Sequence, residues 1–272
     1  MNGGKKNTVI KIMLAKVTFL IITLGLTFHQ GMSQTKFNDN PVVAHRGAWK
    51  KKHLPENSIA ALKEAIRLKC LGSEFDVRMT SDDSLIVNHD PHFHGLDIEK
   101  STFDQLSKFP LSNGEVLPTL TQYLLAGINN NPGTILVIEL KPSPGGRGRQ
   151  LAYDAVAIVK SLNIQNRVMY ISFDINILSA ILEKDPEAET QYLNGDQTPD
   201  QLKTMGIKGL DYHHTVFKKN QEWIEHAKKN GQKLNVWTVN EEADLKWFIG
   251  HQFDAITTNE PELLFEILNR KR

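Results

Sequence analysis

The sequence predicts an α/β fold, a (β/α)8 TIM barrel, from three observations. Short apolar runs alternate with amphipathic segments along most of the chain, as in repeated βα units. Eight of the apolar runs have strand character, and helical spacing of apolar residues separates most of them. Several runs end in polar or charged residues, and TIM-barrel active sites lie at the C-terminal ends of the strands. We therefore expect one barrel domain with its site at that end.

Each predicted strand is recognised by the residues that close it. These closing sequences are, in chain order, AHRG, SEFDV, VIELK, VMYISF, TQYLNG, GLDYHH, LNVWTVN and DAITTN. Between them, apolar residues recur with helical spacing. The predicted helices include the segment that follows Asn57 or Ser58, either of which can cap it, and the segments LPTLTQYLLAGI, QLAYDAVAIVKSL, INILSAILEK, EWIEHAKKN and EEADLKWFIG.

One further apolar run, SLIVNHD, cannot be a parallel barrel strand. It follows EFDVRMT after only a few polar residues, whereas a parallel crossover needs a dozen or more. We expect an antiparallel hairpin with its turn centred on Asp82 and Asp83, which places Asp76 opposite His89. The polar segment from about 91 to 117 is then a small insertion after this hairpin.

Residues 1–34 have the character of a secretory signal peptide. Four lysines and no acidic residue precede the apolar run VTFLIITLGLTF, which is shorter than the ~20 residues of a membrane span. We expect an exported protein, periplasmic or extracellular, with the barrel domain at 35–272 and no stable membrane span in the mature chain. An uncleaved N-terminal anchor is the alternative.

The charge balance argues against a nucleic-acid-binding protein. The whole chain has 32 basic and 31 acidic residues, and removal of the four leader lysines leaves 28 basic residues. A mildly acidic mature chain without a long basic stripe is poorly suited to bind nucleic-acid phosphates.

Three carboxylates stand out in otherwise apolar strands. Glu74 and Asp76 are two residues apart and share one strand face, and Glu139 lies in the next predicted barrel strand. Three oxygen ligands without cysteine favour a hard divalent cation, Ca²⁺ or Mg²⁺. The alternative is a strand rim of salt bridges with nearby basic residues, Arg46, Arg78 and Lys141.

Two histidines are predicted to meet at the same mouth of the barrel. His45 and His89 lie at the ends of separate runs, and such a pair can supply a general base and a general acid. Arg46 offers a planar fork for phosphate oxygens, and Lys141 offers a point charge. Trp237, near a strand end, is either a core residue or a wall for an apolar or sugar-like part of a ligand.

Other motifs are weaker. The segment PSPGGRGRQ at 142–150 has glycines and two arginines, Arg147 and Arg149, that could cradle a phosphate, but its composition favours a loop. His92 and His94 could form a metal pair, although no third ligand is identifiable, and His213 with His214 could line the mouth.

Together these residues resemble the glycerophosphodiester phosphodiesterase family. Its motifs occur in the family's order between Val43 and Pro261, namely AHRG, PEN, EFD, NHD, LPTL, IELK, VWTVN and ITTNEP. The resemblance implies a barrel enzyme that hydrolyses a glycerophosphodiester, a small-molecule substrate, to glycerol phosphate and an alcohol. A cyclic phosphate intermediate and direct attack by water both remain open as the route.

The resemblance also assigns roles to the residues singled out above. It implies that Glu74, Asp76 and Glu139 hold one divalent cation, commonly Ca²⁺ or Mg²⁺. It implies further that His45 and His89 are the acid and base and that Arg46 and Lys141 hold the phosphate. Two alternatives are a phospholipase-type lipid phosphodiesterase, which needs an exposed apolar lip at the mouth, and a non-catalytic ligand-binding barrel.

Overall fold

A computed structural model describes residues 36–270, and these residues belong to one compact unit. The predicted signal peptide, 1–34, lies outside the described residues. The strands in chain order are β1 (Val42–Ala44), β2 (Gly72–Met79), β3 (Leu85–Val87), β4 (His92–Phe93), β5 (Leu96–Asp97), β6 (Ile135–Leu140), β7 (Val168–Ser172), β8 (Thr190–Tyr192), β9 (Gly209–His213), β10 (Lys233–Trp237) and β11 (Ala255–Thr258).

Helices follow most of the strands, and each predicted helical segment contains one. They are α1 (Ile59–Arg67), α2 (Phe103–Leu106), α3 (Leu120–Ile128), α4 (Gly148–Ser161), α5 (Ile175–Lys184), α6 (Pro199–Thr204), α7 (His214–Lys219), α8 (Glu222–Asn230), α9 (Glu242–Gly250) and α10 (Pro261–Arg270), with 3₁₀ turns at Ile98–Lys100 and Gln165–Arg167. Among residues 36–270, no helix combines the length and the apolar character needed to cross a bilayer.

Eight strands close a barrel. Around the ring the order is β1, β2, β6, β7, β8, β9, β10 and β11, and β11 returns to pair with β1. Every pairing in the ring is parallel. The predicted (β/α)8 TIM barrel is therefore confirmed, with each of the eight predicted runs contributing one strand.

Side chains alternate along each barrel strand between the helix layer and the barrel interior, because successive residues point to opposite faces. On β2, Phe75 and Val77 belong to the large apolar core shared with the helices. Glu74 and Asp76 have the opposite parity and face inward. A separate, smaller apolar cluster consists of Val43, Val137, Ile171, Leu193 and Ala255.

The hairpin of β2 and β3 is antiparallel as predicted, but the predicted register is wrong by one residue. Asp76 was expected opposite His89, whereas the N–H of Asn88 donates to the Asp76 carbonyl at 3.0 Å. The cause lies in the turn. Asp83 has a φ of 61°, and this left-handed residue extends the loop from two residues to three.

The insertion at 91–117 folds as a small lobe. Its short β4–β5 hairpin is followed by α2, which begins with a capping box formed by Thr102 and Gln105. Five buried side chains make up the core of the lobe, Ile86, Phe93, Ile98, Leu106 and Leu117. The lobe therefore buries most of its own apolar residues instead of presenting them at the barrel mouth.

The structure shows which of Asn57 and Ser58 caps α1. Ser58 is the N-cap, and its hydroxyl accepts the N–H of Ala61 at 3.0 Å. Asn57 is thereby left for a different partner. The helix ends at Arg67, and Cys70, three residues beyond it, is fully buried.

Candidate active site

Three carboxylates converge inside the C-terminal end of the barrel, as predicted. Asp76 on β2 lies in register with Glu139 on β6, and Glu74 lies two residues earlier on the same face of β2. Ligand oxygens from the three side chains lie within 4.8 Å of one another, and all three residues are buried. The rest of the described chain contains no other group of three potential metal ligands that lie so close together.

Burial and mutual repulsion act against three ionised acids in one place. Loss of solvent, reinforced by the neighbouring carboxylates, raises the pKa of Glu74 well above its usual value and that of Glu139 to about 7. Burial opposes the ionisation of Asp76 as well, but the Lys141 ammonium and other close donors bring its pKa down to about 2. The cluster needs more positive charge than Lys141 alone supplies.

Lys141 projects from the end of β6 into this cluster. Its Nζ lies 2.8 Å from Oδ1 of Asp76 and 2.7 Å from Oε1 of Glu139. When all three carboxylates are ionised, they and the Lys141 ammonium together carry a net charge of −2. Oε1 of Glu74 is buried without a hydrogen-bond partner. This charge and this all-oxygen donor set fit a hard divalent cation.

Arg46 forms the turn that follows β1. Its φ is 57°, and in this left-handed conformation its N–H donates to Oε2 of Glu74 at 2.8 Å. Its guanidinium bonds Glu56 at 2.6 Å and lies 3.6 Å from Oδ2 of Asp76. Arg46 therefore lies at the carboxylate cluster, as predicted. Its shorter ion pair is with Glu56, a partner that the sequence did not indicate.

His45 precedes this turn and faces the cluster. Its Nδ1 lies 2.7 Å from Oδ1 of Asn259, and its Nε2 lies 4.0 Å from Oε2 of Glu74. Because an amide oxygen only accepts, Nδ1 carries the proton and Nε2 presents a lone pair to the site. Burial, aided by the positive charge of Arg46, lowers the pKa of His45 to about 4, so the ring is neutral near pH 7.

His89 follows β3 on the lobe side of the mouth. Its ring is 37% exposed, and its Nδ1 lies 2.8 Å from Oδ1 of Asp90. The charge on His89 contributes to the low pKa of Asp76. The structure therefore places both predicted histidines at the carboxylate cluster, His45 beside Glu74 and His89 near Asp76, even though the register that predicted the position of His89 was wrong.

Trp237 lies at the end of β10, is half-buried, and packs against the smaller apolar cluster. Its indole Nε1 donates to the carbonyl of Asp211 at 2.9 Å, which fixes the ring plane. Phe173 and His213 meet it edge to face, with centroids 5.3 and 5.1 Å away. Because the Lys141 ammonium lies 6.0 Å from the Phe173 ring, this aromatic wall begins beside the carboxylate cluster.

Two asparagines complete the site and were missed as site residues. Asn57 donates to Oδ2 of Asp76 at 2.8 Å and accepts the Asp76 N–H at 3.1 Å. Asn259 orients His45. Both residues lie in motifs noted above, PEN and ITTNEP, but sequence patterns do not show which side chain each asparagine meets in the folded chain.

Four other candidate residues from the sequence do not contribute to this site. Arg147 bonds the Thr80 carbonyl and Asp83, and Arg149 bonds Glu183. The phosphate cradle considered for that loop is therefore not formed. His92 and His94 are exposed, and neither belongs to a cluster of metal ligands among residues 36–270.

Comparison with known proteins places this geometry in a family. The Glycerophosphoryl diester phosphodiesterase family matches residues 45–263. The chain belongs to this family of phosphodiesterases. The match begins at His45 and includes the three carboxylates, both histidines and Trp237.

Individual relatives agree with that membership. A glycerophosphodiester phosphodiesterase of Caldanaerobacter subterraneus is 29% identical over 248 residues, covering 84% of this chain and 98% of that protein. The crystal structure of one from Parabacteroides distasonis is 39% identical with a TM-score of 0.82, covering 87% of this chain and 99% of that one. An Oleispira antarctica phosphodiesterase, solved with the product sn-glycerol-3-phosphate, has the same fold at 22% identity, with a TM-score of 0.75 and coverage of 85% and 97%.

Proposed function

We propose that the protein hydrolyses glycerophosphodiesters to glycerol phosphate and an alcohol, and that it requires a divalent cation. The observation that carries the proposal is the buried group of Glu74, Asp76 and Glu139 beside Lys141 and Arg46. A phosphodiester is anionic, so a site that hydrolyses it must supply positive charge. Membership of the phosphodiesterase family supports the substrate class.

The cation that suits these ligands is Ca²⁺ or Mg²⁺, because every donor is a carboxylate oxygen. When bound, the ion would neutralise charge that develops on the phosphate oxygens. The remaining positive charge comes from the protein. Lys141 and Arg46 flank Asp76 at 2.8 and 3.6 Å, where they can bind and orient the phosphate.

The histidines differ in environment, and this difference supports different roles. His45 is neutral near pH 7 and presents Nε2, which suits a general base. His89 is more exposed and has Asp90 on its other ring nitrogen, which suits proton delivery to an alcohol that leaves toward solvent. The aromatic wall around Trp237 can contact an apolar part of the substrate.

We favour a route in which the substrate supplies its own nucleophile. His45 removes the proton of the glycerol 2-hydroxyl, that oxygen bonds to phosphorus, and the bond from phosphorus to the alcohol oxygen breaks as His89 protonates it. Water then opens the cyclic phosphate with the proton transfers reversed. Intramolecular attack gains the advantage of proximity.

The phospholipase-type alternative is not favoured by the lobe. Among the apolar residues of the lobe that could form the required lip, Phe93 is buried, and Leu96 and Phe103 pack against the core of the lobe. Phe109 is 37% exposed and stacks on His94. The burial of these apolar residues therefore favours a small-molecule substrate over a membrane lipid.

We also propose that the protein is exported, on the basis of the leader composition at 1–34. Expression in a bacterial host, followed by fractionation and N-terminal sequencing of the mature protein, tests this proposal. A periplasmic or secreted product that starts near residue 35 is expected. A membrane-bound product with its leader intact would point to the anchor instead.

An activity screen tests the proposed reaction. The substrates are glycerophosphocholine, glycerophosphoethanolamine, glycerophosphoinositol and an intact phospholipid, with product alcohol and glycerol phosphate both measured. Turnover of at least one glycerophosphodiester, lost in Glu139→Gln and kept in the surface control Glu183→Gln, is expected. Turnover of the phospholipid alone would overturn the assignment, and binding without turnover would favour the non-catalytic barrel.

A further inference from the structure

Arg78 lies at the mouth of the barrel beyond the carboxylate cluster. It follows Asp76 by two residues on β2, so it faces the same interior side and lies ~7 Å farther toward the C-terminal end. Its side chain is partly buried. A substrate that enters through the mouth therefore meets Arg78 before it reaches Asp76.

The contacts of Arg78 differ from those of the other cations at the site. Its Nε donates to the carbonyl of His89 at 2.8 Å. Within residues 36–270, no carboxylate lies within 4.0 Å of its guanidinium, whereas Arg46 and Lys141 each have two acidic partners within that distance. The alternative in which Arg78 forms a salt-bridged rim with these acids is therefore wrong.

An arginine in this setting is suited to an anion that arrives from outside the protein. A partly buried positive charge without an acidic partner is costly, and a bound anion would supply the missing negative charge. The Nε contact leaves the two terminal nitrogens, which form the forked end that binds two phosphate oxygens.

We propose that Arg78 is a third cationic substrate-binding residue, whose terminal nitrogens contact the phosphodiester while Nε holds the backbone of His89. The inference rests on the proposed function, because it takes the bound anion to be a phosphodiester. Arg78 would then contact both the bound phosphodiester and the backbone of His89, the proposed general acid.

Two substitutions separate charge from shape. Arg78→Gln keeps an N–H donor and loses the charge, and Arg78→Lys keeps the charge and loses the planar fork. A charged hydrogen bond to an anion is typically worth ~10-fold or more in affinity. We expect Arg78→Gln to raise KM and weaken the binding of glycerol phosphate by at least about 10-fold, with a smaller effect for Arg78→Lys.

The experiment measures kcat and KM on the preferred glycerophosphodiester and, separately, calorimetric binding of glycerol phosphate to the full chain with its cation. Arg149→Gln is the matched control, because Arg149 is exposed and paired with Glu183. Thermal unfolding is recorded for each variant. Weakened glycerol phosphate binding in both Arg78 variants, at unchanged melting temperature and with a normal Arg149→Gln, supports the proposal.

The contrary results are distinct. Unchanged KM and unchanged glycerol phosphate binding in Arg78→Gln, with an active wild type, would overturn the Arg78 inference and leave the proposed function intact. A fall in kcat that accompanies a lower melting temperature, with unchanged product affinity, would make the role of Arg78 purely structural and overturn it as well. A wild type inactive on every glycerophosphodiester would overturn the proposed function and this inference together.

Discussion

The backbone N–H of Arg46 donates a 2.8 Å hydrogen bond to Oε2 of Glu74. This bond joins the turn after β1 to the carboxylate cluster on β2. It requires Arg46 to adopt a left-handed φ, and Gly47 continues the turn with a φ of 83°. The shape of this turn therefore determines where both the arginine and one proposed metal ligand lie.

The turn gives a first prediction, for Gly47→Ala. A Cβ at this position would lie 2.7 Å from the carbonyl carbon of Ala61, so the substitution adds a steric clash to the strain of a positive φ. We expect a loss of at least about 3 kcal/mol in the free energy of unfolding, measured in denaturant. Gly114→Ala is the control.

Gly114 has a φ of 86° with nothing within 4 Å of a Cβ. It therefore reports the cost of the backbone conformation alone, about 1 kcal/mol. Equal losses in the two variants would show that the packing of the turn against α1 is unimportant.

The histidine pair gives a second prediction. We expect His45→Ala and His89→Ala each to lower kcat by on the order of 100-fold or more, while the exposed His226→Ala has no effect. Because burial lowers the pKa of His45 to about 4, His45 loses its base form only in strong acid. The acid limb of the pH–rate profile should then lie well below pH 6.5. An acid limb at 6.5 that persists in His45→Ala would exclude His45 as the base.

Asp211 gives a third prediction, about stability. Its side chain is buried in the barrel interior, where Oδ1 has no hydrogen-bond partner, and burial raises its pKa well above 3.8. The folded protein therefore holds this proton more tightly than the unfolded chain. Folding loses stability as pH rises above about 4, by up to about 1.4 kcal/mol per pH unit until the folded pKa is reached.

Asp211→Asn removes this linkage. Its stability relative to wild type should increase from pH 4 to pH 8, as measured by denaturant unfolding, whereas the exposed control Glu187→Gln should show little pH-dependent difference. A stability difference between Asp211→Asn and wild type that stays constant over this range would mean that Asp211 is ionised in the folded protein.

The fold was predictable because it depends on patterns that repeat along the chain. Short apolar runs and helical spacing identified the eight barrel strands and the helices between them. The β2–β3 register failed for a local reason, since sequence does not reveal that Asp83 adopts a left-handed φ. One extra residue in a turn shifts every pair in the hairpin.

The site was predictable in part for a different reason. Charged residues in apolar strands are conspicuous, so the three carboxylates, Arg46 and Lys141 were found. Asn57 and Asn259 act through contacts across 19 and 214 residues of sequence, and asparagine is common in turns and caps. Arg78 entered only as a salt-bridge partner in the alternative to a metal site, because sequence cannot show that its guanidinium lacks an acidic partner.

The route gives a fourth prediction. If the glycerol 2-hydroxyl attacks phosphorus, a 2-deoxy analogue of glycerophosphocholine should bind but react far more slowly, since intramolecular attack can be worth ~7 kcal/mol or more. Phosphorus NMR at early times should show a transient cyclic glycerophosphate from the natural substrate. Equal rates on both compounds without a cyclic species would establish direct attack by water.

Metal dependence tests the central claim most directly. Wild-type protein is treated with chelator, verified as metal-free, and assayed on its preferred glycerophosphodiester while Ca²⁺ or Mg²⁺ is added back, with Glu74→Gln, Asp76→Asn and Glu139→Gln alongside. We predict no turnover without metal, recovery in the wild type on addition of one cation, and neither metal binding nor turnover in the three folded variants. Full turnover by the verified metal-free wild type would contradict the account.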